Sequence, residues 1–277
     1  MEKYRILIAG CGDVGSTLGK LLATEHRVYG LRRTINKLPA QLHPIAADLS
    51  DLSSLKNLPA IDILVYCAAP RRGASGVYTQ TYLDGYRNLL AALPETPAHV
   101  FFTSSTSVYA QSEHQWIDER SSASADSEKA QIMRAAELQV LASDCPATVV
   151  RFSGIYGPQR LHLLNQVLAG KSLLSDPVQY SNRIHRDDCA AVLEHLINLV
   201  AKGNSIAPLY LASDCLPSPI SEVMDWLASQ TNSPVEKLKS TRSTTSKRCD
   251  NSLLLATGYQ FKYPDYLCGY AEIIDSL

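Results

Sequence analysis

Hydrophobic residues in the first two thirds of the chain fall into short, β-branched runs separated by longer segments whose apolar positions recur every three or four residues. The short runs predict strands over residues 4–9, 27–32, 43–47, 61–67, 100–104 and 148–152, and the longer segments predict helices over 14–24, 77–93 and 126–142. The run at 61–67 is almost continuously apolar, as a parallel strand covered on both faces must be. This alternation predicts an α/β fold, a doubly wound parallel sheet occupying residues 1–155. Beyond Arg151 the pattern is broken by Gly154, Gly157 and Pro158. A smaller C-terminal α+β lobe is expected from 156–186 and 213–277, while a helical stretch at 187–200 and a strand-like 208–212 rejoin the first sheet. The polar stretch 240–246 reads as a mobile loop or a short solvated connection.

Composition narrows the classes of function. The 277 residues carry 26 Lys and Arg against 27 Asp and Glu, so no basic surplus draws the chain toward nucleic acid or an anionic membrane. No apolar run approaches the ~20 residues that span a bilayer. The N-terminus leads directly into a strand rather than a cleavable signal, and a cytoplasmic protein is expected. Seven widely spaced cysteines, Cys11, Cys67, Cys145, Cys189, Cys215, Cys249 and Cys268, form no C-x-x-C pair. Reduced thiols without a disulfide framework or a structural metal are expected.

The first strand is followed by Gly10-Cys11-Gly12-Asp13-Val14-Gly15, which opens the first helix. In that context the first glycine makes a tight turn, the second admits a pyrophosphate to the backbone, and the third lets helix and strand pack closely. The free N–H groups and the helix dipole then face the phosphates. Some 20 residues on, a ribose-binding acid would be expected; Arg32 and Arg33 stand there instead, a choice that suits the 2′-phosphate of NADP(H) over NAD(H). Asp48, after the third strand, is placed either to meet an adenine amino group or to cap the turn near Asp51.

These residues, with Cys67-Ala68-Ala69-Pro70, the Phe102–Tyr109 segment FTSSTSVY, Arg151–Pro158, Arg183–Asp188 and Leu255–Tyr259, make the chain resemble the extended short-chain dehydrogenases/reductases of the NAD-dependent epimerase/dehydratase branch. The resemblance implies that Ala68 and Ala69 line the cofactor and that Ser105 hydrogen-bonds the substrate's reacting oxygen. It also implies a homodimer through the helices at 77–93 and 126–142. One family feature is missing. The proton-donating tyrosine is normally followed four residues later by a lysine, yet no tyrosine lies between Tyr109 and Tyr156, and none of the 14 tyrosines precedes a lysine at that spacing. With Glu137 as the family's helix glutamate, Lys129 falls at the tyrosine place and Met133 at the lysine place. Gly154 and Ser181 stand where nucleotide-sugar enzymes usually carry an asparagine and an arginine, while Arg183 or Arg160 could hold a smaller anion.

Two readings follow. One is an NADP(H)-dependent oxidoreductase or epimerase/dehydratase-like enzyme for a small carbonyl or hydroxyl substrate, with Ser105 as oxygen binder and Tyr82, Tyr109, Lys129 or Tyr156 as an unusual proton donor. The other is a non-catalytic NADP(H)-binding redox sensor, favoured by the missing pair. A nucleophilic cysteine, Cys67 or Cys11, has no base near it in sequence and ranks below both.

Overall fold

Seven strands form the central sheet of the computed structural model, which describes residues 3–70, 76–239 and 246–276; the predicted loop at 240–246 lies outside the described residues except for Ser246. They are β1 (Arg5–Ala9), β2 (Arg27–Arg32), β3 (His43–Ala46), β4 (Ile63–Tyr66), β5 (His99–Ser105), β6 (Ala147–Phe152) and β7 (Leu209–Ala212). Their order is β7-β6-β5-β4-β1-β2-β3. Ile6 of β1 pairs in parallel with Val28 on one side and Ile63 on the other. The chain thus winds outward from β1 to β3, then returns to β1's other edge, and the loops after β1 and β4 meet where the winding reverses. Ile6, Leu7, Ile8, Leu64, Val65 and Phe101 are wholly buried, which is why these strands read as unbroken apolar runs.

Helix α1 (Asp13–Leu22) buries Val14, Leu18 and Leu22 at helical spacing. The single helix expected at 77–93 is instead a helical turn at Val77–Thr79, a π-helical turn at Gln80–Asp84 and helix α2 (Gly85–Ala92). The cause lies in the sheet. The Tyr66 hydroxyl donates to Thr81 O at 2.5 Å, and the Gly85 N–H skips that carbonyl to reach Gln80 O. A Cβ at residue 85 would stand 2.8 Å from the Tyr66 oxygen, so glycine is needed at this approach. Helix α3 (Glu128–Leu141) starts where the Ser127 hydroxyl accepts from Ala130 N, and α4 (Arg186–Ala201) precedes β7.

The chain divides into two compact units, Met1–Val108 with Ser124–Arg151 and Ala190–Tyr210, and Tyr109–Ala123 with Phe152–Cys189 and Leu211–Leu277. The second unit is built around helices His162–Leu168, Ile220–Gln230 and Tyr266–Asp275, whose core includes Leu164, Val167, Val223, Leu227 and Tyr270. Short strand pairs join its loops, among them Gly154–Tyr156 with Arg183–His185 and Lys171–Leu173 with Glu236–Leu238. Its polar hub is the buried Asp188, whose carboxylate accepts from the Tyr259 hydroxyl (2.7 Å), Lys262 N and Tyr263 N (2.9 Å each). Among the described residues no helix is long and apolar enough to cross a membrane, and no group of three or more His, Cys, Asp or Glu could hold a metal ion.

In the first unit one carboxylate is sealed in the core. Glu137 of α3 has no solvent exposure and accepts from Arg151 Nε (2.8 Å) and Nη2 (2.6 Å), Ser104 Oγ (2.6 Å) and Arg134 Nη1 (2.8 Å). Burial alone would raise its pKa, but these partners, Arg151 foremost, hold it below the ordinary glutamate value. The linked stability is therefore fully present above the ordinary glutamate pKa of about 4.3 and is lost as pH falls through the lower folded value. Glu137→Gln, which strands the Arg151 charge, is expected to cost about 3–5 kcal/mol in urea unfolding at pH 7. Arg134→Ala, at a half-exposed partner, should cost about 1 kcal/mol or less.

Candidate functional site

The glycine turn is shaped by contact with the loop after β4. Gly10 has φ +80°, and a Cβ there would fall inside the backbone of Ala68. Its N–H and that of Cys11 donate to Leu31 O, tying the turn to the end of β2. At Gly12 a Cβ would meet only Gly10 O at 3.8 Å, so the space beside the exposed Gly12 is open at the start of α1. At Gly15 it would stand 3.0 Å from both Cys67 Sγ and Ile8 Cγ2, the close packing of helix on strand. An open cradle at a helix N-terminus, with a closed one on either side of it, fits a dinucleotide pyrophosphate. Asp13 and the buried Val14 continue α1 from this turn; Ala68 packs against Gly10, and Ala69 after it is exposed.

At the end of β2, Arg32 Nη1 donates to Cys11 O at 3.1 Å, which fixes the guanidinium beside the glycine turn. Arg33 is exposed and stands 3.6 Å from an Asp48 carboxylate oxygen. Asp48 accepts from Ser50 N and Oγ; those bonds, with Arg33, keep its pKa below the usual carboxylate value. The cap near residue 51 is made by Asp51 itself, which accepts from Ser53 N. Burial pushes the Cys11 and Cys67 thiols up, so the thiolate a nucleophile needs is disfavoured at both.

Ser105 closes β5 and is half-buried, its Oγ accepting from Ser107 N at 3.1 Å while its own hydrogen remains available to a ligand. Its neighbour Ser104 points the other way, into Glu137. Tyr82, on the π-helical turn, is buried against Tyr78 and Phe102, and burial raises its phenol's pKa. Lys129 is exposed at the start of α3 with Nζ 5.2 Å from the Tyr78 ring centre, and Met133 is buried.

The other two tyrosine donors are spoken for. Tyr109 belongs to the second unit, is wholly buried, and its hydroxyl donates to Asp118 O at 2.8 Å. Tyr156 lies in the core of the same unit, its hydroxyl toward Asp265 O and burial raising its pKa. Both hydroxyls are thus directed at backbone carbonyls inside the second unit.

The second unit also holds a cavity of about 420 Å³. Gly154, Ser181, Arg160 and Arg183, singled out in the sequence, all line it. Lys171 and Lys239, which line it too, had no sequence signal, because only the pairing of Lys171–Leu173 with Glu236–Leu238 brings them together.

The two glycines make separable predictions. Gly12→Val should unfold at a temperature close to that of the parent yet lose stabilisation by NADP(H), since its side chain enters open space where phosphates would lie. Gly10→Ala, forced into Ala68 at positive φ, should lose about 2 kcal/mol or more of stability. Thermal unfolding with and without the dinucleotide checks both.

Comparison with known proteins agrees with this fold. A family model described as the NAD dependent epimerase/dehydratase family matches residues 6–206. A Methylobacillus flagellatus structure assigned as an NAD-dependent epimerase/dehydratase is 36% identical, with a TM-score of 0.86 over 99% of each chain. A human epimerase family protein with NADPH shares the fold at 20% identity and a TM-score of 0.77, covering 99% of this chain and 100% of that one. So does a dTDP-glucose 4,6-dehydratase from Streptomyces venezuelae with NAD bound, at 19% identity and a TM-score of 0.80 over 98% of this chain and 96% of that one. No curated protein sequence matches. With its glycine turn at the switch point of a parallel sheet and a family match over most of its length, the chain belongs to the NAD-dependent epimerase/dehydratase family.

Proposed function

We propose that the protein is an NADP(H)-dependent oxidoreductase or epimerase/dehydratase-like enzyme acting on a small carbonyl or hydroxyl substrate. The observation that carries this reading is the open cradle at Gly12 with the Arg32 guanidinium fixed beside it on Cys11 O. Gly12, the N–H groups opening α1, Ala68 and Ala69 would hold the dinucleotide, and Arg32 with Arg33 would meet a 2′-phosphate through charge-assisted hydrogen bonds. The bound group supplies hydride transfer. The chain supplies orientation and charge: the Ser105 hydroxyl, held by Ser107 N, donates to the substrate oxygen as negative charge gathers there. Tyr82, Lys129 or water provides the proton. A phenol whose pKa burial has raised is a weak acid at neutral pH, which favours the last two.

The alternative is a protein that binds NADP(H) and reports redox state without chemistry. Exposed Lys129 and buried Met133, at the places of the missing tyrosine and lysine, support it.

Calorimetry should give the parent protein tighter binding of NADPH than of NADH, and Arg32→Asp should reverse that order; equal affinities in the parent would remove the NADP(H) assignment. In a turnover screen with NADPH and NADP⁺, Ser105→Ala should lose ~10²–10³ in kcat. Tyr82→Phe and Lys129→Ala should each lose about tenfold or less, being replaceable by water. A fully active Ser105→Ala contradicts the enzyme mechanism, and a screen without any turnover favours the sensor.

A further inference from the structure

The cavity of the second unit has a one-sided charge. Among the described residues that line it, Arg160, Lys171, Arg183 and Lys239 are cationic and none is Asp or Glu. Among the described residues Lys171, Arg183 and Lys239 take part in no ion pair. Lys171 and Lys239 are exposed, but Arg183 is only 5% exposed. Its Nη2 donates to Ser181 Oγ, its guanidinium carbon lies 5.3 Å from the centre of the Tyr266 ring, and its Nη1 has no hydrogen-bond partner.

Asp214 does not neutralise it. Asp214 is tied to Arg183 through the backbone, its N–H donating to Arg183 O at 2.7 Å, yet the two side chains form no ion pair and Asp214 Oδ2 is buried without a partner. Burial pushes that carboxyl up to about 8, and Asp265 and Asp188 push the same way while Arg183 opposes them. At neutral pH the carboxyl is therefore largely uncharged. A buried guanidinium with no carboxylate within ion-pair distance is costly on its own, and an anion in the adjoining cavity would offset that cost. The volume of about 420 Å³ lies toward the small end for metabolite pockets, and Leu163, Ile220 and Met224 give it an apolar wall.

We propose that this cavity binds a small organic dianion, a phosphate monoester or a dicarboxylate, with Arg183 as its buried anchor and Lys171 and Lys239 as exposed partners. The proposal rests on the enzyme reading in that it names the substrate's class. It is tested without cofactor or turnover, so the two fail separately.

Calorimetric titration of the full chain at pH 7 and low salt uses glycerol 3-phosphate and succinate as dianions, glycerol as the neutral control and UDP-glucose as a bulky anion. At least one dianion should bind at least tenfold more tightly than glycerol and than UDP-glucose, weakening as salt rises; which of the two binds separates phosphate from carboxylate. Arg183→Gln should weaken that binding roughly 10- to 100-fold. The exposed double variant Lys171→Gln/Lys239→Gln should weaken it about 2- to 10-fold, and it carries the test if Arg183→Gln fails to fold. Equal affinity for glycerol and both dianions, tighter binding of UDP-glucose, or dianion binding that a folded variant leaves unchanged would each overturn the proposal. Dianion binding with no NADP(H) binding would uphold the site and sink the enzyme reading instead.

Discussion

Glu137 keeps its charge where water does not reach, and the arrangement of the first unit follows from how that charge is satisfied. Removing a carboxylate and a guanidinium from water costs several kcal/mol per ion, which only good geometry and full hydrogen bonding offset. Here Arg151 from β6 supplies two donors, Ser104 from β5 a third, and Arg134 from the same helix a fourth. Helix α3 is thereby pinned to two neighbouring strands at one residue. Any slide or rotation would leave an ion unpaired in the core, so the register of Lys129 and Met133, two turns and one turn before it, is fixed as well. The alternation of β5 does the rest: with Ser104 directed into the ion pair, Ser105 presents its hydroxyl on the opposite face.

What could be read from the chain was whatever is local or repeats. The central strands showed themselves because parallel strands buried on both faces, such as β1, β4 and β5, must be largely apolar, and the glycine turn showed itself because its three roles sit within six consecutive residues. The features that escaped depend on partners far away in sequence. The π-helical turn depends on a tyrosine hydroxyl from β4, 15 residues earlier. The unneutralised Arg183 becomes visible only beside Asp214, and the grouping of Lys171 with Lys239 only through strand pairing. Tyr109 looked like an available phenol because it follows the Ser-rich strand end. In the fold that hydroxyl is consumed by the carbonyl of Asp118, nine residues on.

The two units divide their chemistry along different physical lines. The first builds its candidate site from backbone: an open glycine, the start of a helix, and one arginine held by a carbonyl. Such a site tolerates little change in main-chain shape but asks little of side chains. The second builds its cavity from side chains on short strands and helix faces, and a buried acid kept neutral leaves the cation beside it undiminished. Substitutions there would alter charge and shape with small effect on the sheet, which is how one scaffold can serve different substrates.

The π-helical turn has a bearing on how this chain is to be compared with others. One residue more than an α-helix requires is accommodated between Gln80 and Asp84, so the helix behaves as if it carried a single-residue insertion that leaves no gap in the chain's length. Laid against a straight counterpart, counting forward from Val77 and counting back from Leu89 arrive at different equivalents for Tyr82. Equivalent positions across this stretch therefore depend on where the extra residue is placed, and the Tyr66 hydroxyl on Thr81 O marks that place from a distant strand.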